Sequence, residues 1–229
     1  MALTLLGNGD INLNELGTKY MTDKCDIHHR YKNVSYLDIY QRYMGSKRLN
    51  INVFVEIGVR DGASLRMWKE YFPNAIIYGI DIDPKCKLLE EERIEIIIGD
   101  QNNEIFLKSL QDKFKNNIDI LLDDGSHITL HQIKTYQYLY PCVKNKGLFI
   151  IEDLANSYEE WGNNELNLRK LWPGMIYNNQ NEDLKNYRKD FDSFINLIIK
   201  KLDLHSKYNI DNNLISIHFY PMIVIFENI

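Results

Sequence analysis

The sequence predicts an α/β domain built on a doubly wound, mostly parallel sheet. Three observations predict it. Five short apolar runs bounded by turn residues read as buried strands. Segments with helical spacing stand between them, and that alternation calls for a parallel sheet with right-handed crossovers. The runs also end in glycines and carboxylates, at the strand ends where open α/β sheets bind ligands.

Taken in order, residues 1–50 are polar and tyrosine-rich, with a helix over Tyr36 to Tyr43, and read as a cap on the main domain, residues 51–229. Val53 to Gly58 is the first strand. Gly58 to Ser64 is a glycine turn, with Ser64 expected to cap a helix over Leu65 to Tyr71. Ile76 to Ile80 is the second strand and ends in Asp81; Pro84 to Glu92 reads as a short helix with proline in its first turn. Ile94 to Ile98 runs into Asp100 and Gln101. Asn103 to Phe114 spaces Ile105, Phe106, Leu110 and Phe114 helically. Ile118 to Leu122 is followed by a helix over Thr129 to Leu139 that Pro141 ends, and Gly147 to Ile151 is the fifth strand. Asn156 to Gln180, with Trp161, Trp172, Pro173 and Gly174, reads as an irregular lid or loop around a short helix. Leu184 to Leu202 is an amphipathic helix. Leu214 to Tyr220 and Met222 to Glu227, split by Pro221, form a terminal antiparallel pair.

Composition excludes several classes. At 229 residues, 45% of them hydrophobic, the chain is long enough for one sizeable core. The net charge, 27 − 32 = −5, and the absence of a long basic run argue against a nucleic-acid partner. Cys25, Cys86 and Cys142 have neither metal-site nor disulfide-framework spacing, which suits a reducing cytoplasm. No apolar run approaches the ~20 residues that span a membrane, and no signal-peptide pattern opens the chain.

The chemistry concentrates in Ile118 to His131, IDILLDDGSHITLH. An apolar run delivers Asp123, Asp124 and His127 to the sheet edge. The next strand delivers Glu152 and Asp153 to the same edge. Acidic pairs from two strands can build an oxygen-rich cation site, and a histidine beside it is a candidate general base. The first strand leads through Glu56 into Gly58-x-x-x-Gly62, where a ligand can approach the backbone. That spacing is not GxGxxG, which weakens a dinucleotide reading. Asp81 could bind two ribose hydroxyls and Asp100 an exocyclic amine, an order of parts suited to a nucleoside without phosphates. Any one strand-end aspartate fits a turn or helix cap equally well.

These residues resemble a known family. VEIGVRDGASL, IIYGIDIDP, IIIGDQ, ILLDDGSH and LFIIEDL look like class I S-adenosylmethionine-dependent methyltransferases. More narrowly, they resemble the macrolide-sugar O-methyltransferases typified by the macrocin and mycinamicin enzymes. Thr22, Asp23, Lys24, His29, Tyr31 and Tyr36 match that family's N-terminal segment. The resemblance covers about Met21 to Leu154. It implies a Rossmann-like sheet of seven strands whose last is antiparallel, with S-adenosyl-L-methionine as cofactor and a divalent cation, usually Mg²⁺, holding two sugar hydroxyls. Its implied metal ligands are Asp124, Glu152 and Asp153, and its implied base is His127. The cofactor contacts expected are Glu56, Gly58, Asp81, Asp100, Gln101, Asp123 and Lys24, although a solvated Lys24 and a strand-end hydrogen-bond acceptor role for Asp123 fit as well. The implied substrate is a small sugar or sugar nucleotide, and a homo-oligomer is compatible.

The chemistry agrees. A sugar hydroxyl is a weak acid, a cation stabilises the developing alkoxide, and an imidazole can take the proton. Three carboxylates favour Mg²⁺ over Zn²⁺. Competing readings are a helical zinc pair of His127 and His131, a metal-independent N- or O-methyltransferase, a non-catalytic cofactor-binding protein and an NAD-type dehydrogenase. His131 alone reads as a supporting or packing residue.

Overall fold

A computed structural model describes residues 11–25, 30–31, 34–157, 188–208 and 214–228. The chain divides into two compact units, Met1–Ile98 and Gly99–Ile229.

The first unit contains α1 (Leu13–Tyr20), a 3-10 turn (Asp23–Cys25), β1 (Arg30–Tyr31), β2 (Val34–Ser35), α2 (Tyr36–Met44), β3 (Val53–Ile57), α3 (Ala63–Tyr71), β4 (Ile76–Asp81) and β5 (Ile94–Ile98). Its strands β3, β4 and β5 are parallel, with Val53 opposite Ile76 and Ile77 opposite Ile94. Every residue of β3 is buried, as a continuous apolar run in a parallel sheet requires. The entry to α2 is a reciprocal cap. The Asp38 amide donates to Ser35 Oγ at 3.1 Å, and the Ser35 amide donates to the Asp38 carboxylate at 2.7 Å. Trp68 centres the core, with Phe54, Phe72 and Tyr40 rings at 4.9, 5.9 and 6.0 Å. Tyr36 and Tyr40 are buried, so these members of the N-terminal tyrosine cluster are core residues.

Two local expectations change. Helix α3 starts at Ala63 with Gly62 as its cap residue, and Ser64 lies inside the first turn. Its hydroxyl donates to the buried Glu56 carboxylate at 2.9 Å, while Asp61 Oδ1 accepts from the Ala63 amide at 3.1 Å at the helix start. The segment after Pro84 is a 3-10 helix, Pro84–Leu89, capped by Asp83.

Gly79 in β4 packs tightly under the glycine turn. A Cβ there would sit 2.7 Å from Val59 and 2.8 Å from Ile96 and Leu65 side chains. Gly79→Ala is therefore expected to destabilise the protein by about 1–3 kcal/mol through overpacking. Urea denaturation measures this, and an unchanged midpoint would show that the neighbours give way.

The second unit contains α4 (Glu104–Phe114), β6 (Ile118–Asp123), α5 (Thr129–Leu139), β7 (Val143–Ile151), a 3-10 turn (Leu154–Ser157), α6 (Arg188–Tyr208), β8 (Leu214–Tyr220) and β9 (Ile223–Asn228). Strands β6 and β7 are parallel, with Asp123 opposite Ile151. The terminal hairpin forms as expected, with β9 antiparallel to both β7 and β8. Strand β7 begins at Val143 rather than Gly147, since Val143 pairs with Ile118 of β6 before a register irregularity leads to the Ile120–Leu148 pair. Tyr136 of α5 gathers Tyr140, Phe149, Phe194 and Phe226 into an aromatic core.

The seven long strands run in the order β5-β4-β3-β6-β7-β9-β8, a doubly wound sheet. No described helix is long and apolar enough to cross a membrane. All three cysteines are free, and burial pushes the Cys86 thiol up to about 11. Trp161 and Trp172, with most of the expected lid, lie outside the described residues, as do His28, His29 and the His205 side chain.

Candidate active site

The carboxyl ends of β6 and β7 are held level by the sheet. The Glu152 amide donates to the Asp123 carbonyl at 3.0 Å, and Gln132 Nε2 of α5 donates to the Glu152 carbonyl at 3.2 Å. At this edge each acidic doublet splits, as alternation along an extended chain requires. Asp123 and Glu152 are buried, while Asp124 and Asp153 are only partly covered.

Asp124, Asp153 and His127 converge. One ligand atom from each lies within 4.8 Å of the others. His127 Nε2 is 3.6 Å from Asp153 Oδ2, with side chains 10% and 17% exposed. Their backbones are unusual: φ is 56° at His127 and 57° at Asp153, in the left-handed region. Strain of this kind persists only where the surroundings over-determine it. Here the two residues, one after β6 and the other after β7, bring their side chains together. The two carboxylates are the hard oxygen donors that Mg²⁺ or a similar cation takes. Glu152, expected as a third ligand, is 2% exposed and stands outside the group of three.

The turn carrying Asp124 and His127 rests on a buried network that sequence reasoning did not resolve. Gln101 Nε2 donates to both Asp123 carboxylate oxygens, at 2.7 and 2.8 Å, and to Thr135 Oγ1 at 3.0 Å. Gln101 Oε1 accepts from the Ser126 amide at 3.0 Å. Burial pushes the Asp123 carboxyl up to about 6, against the lowering effects of the Gly125 amide and Gln101. Gln101 and Asp123, both expected to meet the cofactor, are thus bonded to each other inside the fold. Their only sequence signal was position at a strand end, which does not separate a ligand contact from an internal brace.

His131 is buried, with its Nδ1 2.8 Å from Ser126 Oγ, and burial holds its pKa below the usual imidazole range. It is absent from the group of three. Because α5 starts at Thr129, His127 is not on a helix, and the helical zinc pair does not form.

In the first unit the glycine turn is closely held. Gly58 has φ 91°, Arg60 54° and Gly62 74°. Asp81 Oδ2 accepts from the Val59 and Arg60 amides at 2.7 and 3.2 Å, and its Oδ1 accepts from the Asp83 amide at 2.8 Å. Asp81 therefore shapes the turn as well as standing at the strand end where a ribose is expected. Lys24 is not solvated: it is 1% exposed, and its ammonium lies 3.3 Å from Glu56 Oε1. Asp100 is exposed, and its carboxylate accepts from the Asn102 amide at 2.7 Å.

No protein-family model matches the chain. The demethylmacrocin O-methyltransferase of Streptomyces fradiae is 37% identical over 154 residues, 64% of this chain and 37% of that enzyme. The mycinamicin VI 2''-O-methyltransferase of Micromonospora griseorubida is 36% identical over 159 residues, 66% of this chain and 38% of that enzyme. The 8-demethyl-8-alpha-L-rhamnosyl tetracenomycin-C 2'-O-methyltransferase of Streptomyces olivaceus is 35% identical over 150 residues, 62% of this chain and 38% of that enzyme. The matches span under two fifths of the length of these relatives. A solved structure of the MycE methyltransferase from the mycinamycin biosynthetic pathway, in complex with Mg, SAH and mycinamycin VI, superposes with a TM-score of 0.69. That superposition is at 29% identity and covers 97% of this chain and 56% of that one. A putative caffeoyl-CoA O-methyltransferase from Staphylococcus aureus, at 13% identity and a TM-score of 0.53, shares the fold.

Proposed function

We propose that this chain, a relative of the macrolide-sugar O-methyltransferases, is an S-adenosylmethionine-dependent, divalent-metal-assisted O-methyltransferase that acts in the cytoplasm on a sugar hydroxyl. The acceptor class is a nucleotide sugar, a surface polysaccharide precursor or a natural-product glycan. The observation that carries the reading is the convergence of Asp124, Asp153 and His127 within 4.8 Å at the ends of β6 and β7.

The donor set fits the group. Two carboxylates on adjacent strand ends supply hard oxygen, and a nearby imidazole completes an acid–base pair with whatever they bind. Asp124 and Asp153 hold the cation, and the resemblance supplies Glu152 as the third ligand. His127 takes the hydroxyl proton as the oxygen becomes nucleophilic. S-Adenosylmethionine supplies the electrophilic methyl, and the cation supplies charge stabilisation at the acceptor oxygen. Gly58, Asp81 and Asp100 are the proposed direct contacts for the cofactor. Glu56, Lys24, Gln101 and Asp123, all buried, support the turns on which those contacts stand.

The test is transfer of a labelled methyl group to a panel of sugar nucleotides and glycans, with and without EDTA. Metal-dependent transfer to a sugar acceptor is expected. Transfer that survives chelation would favour the metal-independent reading. S-Adenosylhomocysteine binding with no transfer to any acceptor would favour a non-catalytic protein, and tight NAD binding alone would favour a dehydrogenase. Glu152→Gln tests the third ligand separately: weaker Mn²⁺ binding by calorimetry is expected, and unchanged affinity would remove Glu152 from the set.

A further inference from the structure

Among the described residues of the first unit, a buried charged pair joins the N-terminal segment to the end of β3, just before the glycine turn. Lys24 is 1% exposed and Glu56 is completely buried, at 3.3 Å from one another. Glu56 uses its other carboxylate oxygen to accept from Ser64 Oγ at 2.9 Å and from Trp68 Nε1 at 3.1 Å. It therefore ties the end of β3 to the first two turns of α3, across the five residues from Gly58 to Gly62. On the outer side Asp23, the neighbour of Lys24, pairs with Arg60 Nη1 at 2.6 Å. One 3-10 turn of the N-terminal segment thus grips the glycine turn twice, once inside the core and once at the surface.

The pair needs a reason to exist. Burying two charges costs more in desolvation than their attraction returns unless the geometry and the added hydrogen bonds are good, and an apolar pair often serves stability as well. Three of the five residues in the turn hold left-handed φ values, two of them glycines. The glycines take these values freely, so the conformational cost falls on Arg60. Asp81 holds the middle through the Val59 and Arg60 amides. Glu56, from the end of β3, ties that strand to α3 on the far side of the turn through Ser64 and Trp68.

We infer that Lys24 is a positioning residue for the cofactor turn: its buried ammonium fixes the Glu56 carboxylate, which spans β3 and α3 and keeps Gly58 to Gly62 in the shape that receives a nucleoside. The inference rests on the proposed cofactor reading, and it assigns Lys24 no contact with the cofactor. The N-terminal segment then becomes part of the binding apparatus through the turn it supports.

The test compares wild type, Lys24→Met, Lys24→Arg and the double variant Lys24→Met/Glu56→Gln. Thermal melting is measured beside calorimetric affinity for two probes, S-adenosylhomocysteine and 5′-methylthioadenosine, which lacks the amino-acid part. Lys24→Met is expected to weaken both probes about tenfold, as a turn competent for about a tenth of the time would. Lys24→Arg should recover part of that affinity. The double variant removes the stranded buried charge, so its melting temperature should recover while its affinity stays low. Faster amide hydrogen exchange at Val59 to Gly62, with β7 unchanged, is expected in Lys24→Met.

Affinity that simply follows the melting temperature through the series would overturn the inference, leaving the pair a stability element. A loss confined to S-adenosylhomocysteine would overturn it too, because Lys24 would then touch the amino-acid part directly. If Lys24→Met does not fold, the double variant and Lys24→Arg carry the comparison. Wild-type protein that binds neither probe would instead sink the cofactor reading itself.

Discussion

Asp153→Ala is expected to abolish divalent-cation binding and methyl transfer together. Asp153 sits where β7 leaves the sheet, in a left-handed conformation that turns its carboxylate towards Asp124 and His127. Removing it leaves one hard oxygen donor in the group of three. A cation polarising an acceptor oxygen contributes several kcal/mol of transition-state stabilisation. A loss of about 4 kcal/mol is roughly a thousandfold in rate, and EDTA should reproduce the same loss in wild type. Asp153→Asn is the sharper variant, since asparagine also tolerates the left-handed region. It separates lost charge from a collapsed turn. Manganese titration by calorimetry or electron paramagnetic resonance reads the binding directly. Undiminished Mn²⁺ affinity in Asp153→Asn would end the assignment of Asp153 as a ligand.

His127→Ala is expected to lower kcat by ~10²–10⁴ while leaving S-adenosylhomocysteine affinity nearly unchanged. Here the geometry sharpens the prediction. An imidazole within 4.8 Å of both carboxylates can take a proton from a bound hydroxyl or can itself ligate the ion. Mg²⁺ prefers oxygen, which leaves the imidazole for acid–base work, whereas Zn²⁺ or Mn²⁺ would accept the nitrogen. The two roles give different outcomes. As a base, His127 is dispensable for Mn²⁺ binding, and added free imidazole should restore part of the rate to His127→Ala. As a ligand, its loss should weaken Mn²⁺ along with the rate. His127→Asn keeps a residue that tolerates φ near 56° and controls for loop strain.

The site was only partly legible in the sequence, and the particular residues show why. Asp124, His127 and Asp153 were readable because acidic pairs at the ends of adjacent apolar runs must reach one sheet edge. The division of labour within each doublet was not readable. Neighbouring carboxylates look alike in a string of letters, yet one of each pair faces inwards. Asp123 meets Gln101 and Thr135 inside the fold, while Asp124 remains at the edge. Ser64 was misplaced for a related reason. A serine near a helix start signals a cap, and only the packed structure places the start at Ala63 and brings a buried carboxylate to its hydroxyl. Lys24 carried no sign of burial either, since a lysine earns an interior position through a partner that lies 32 residues away in the chain.

Local pattern by itself determined the five central strands, most of the helices between them and the terminal hairpin, because burial of continuous apolar runs and helical spacing are properties of short segments; α1 (Leu13–Tyr20) and the short β1–β2 pair were not legible in it. Tertiary structure alone decided which carboxylates converge with His127, which one is bonded to Gln101 inside the fold, and which lysine is sealed against a glutamate. Those outcomes depend on desolvation and on partners distant along the chain, and neither is encoded in any single window of residues.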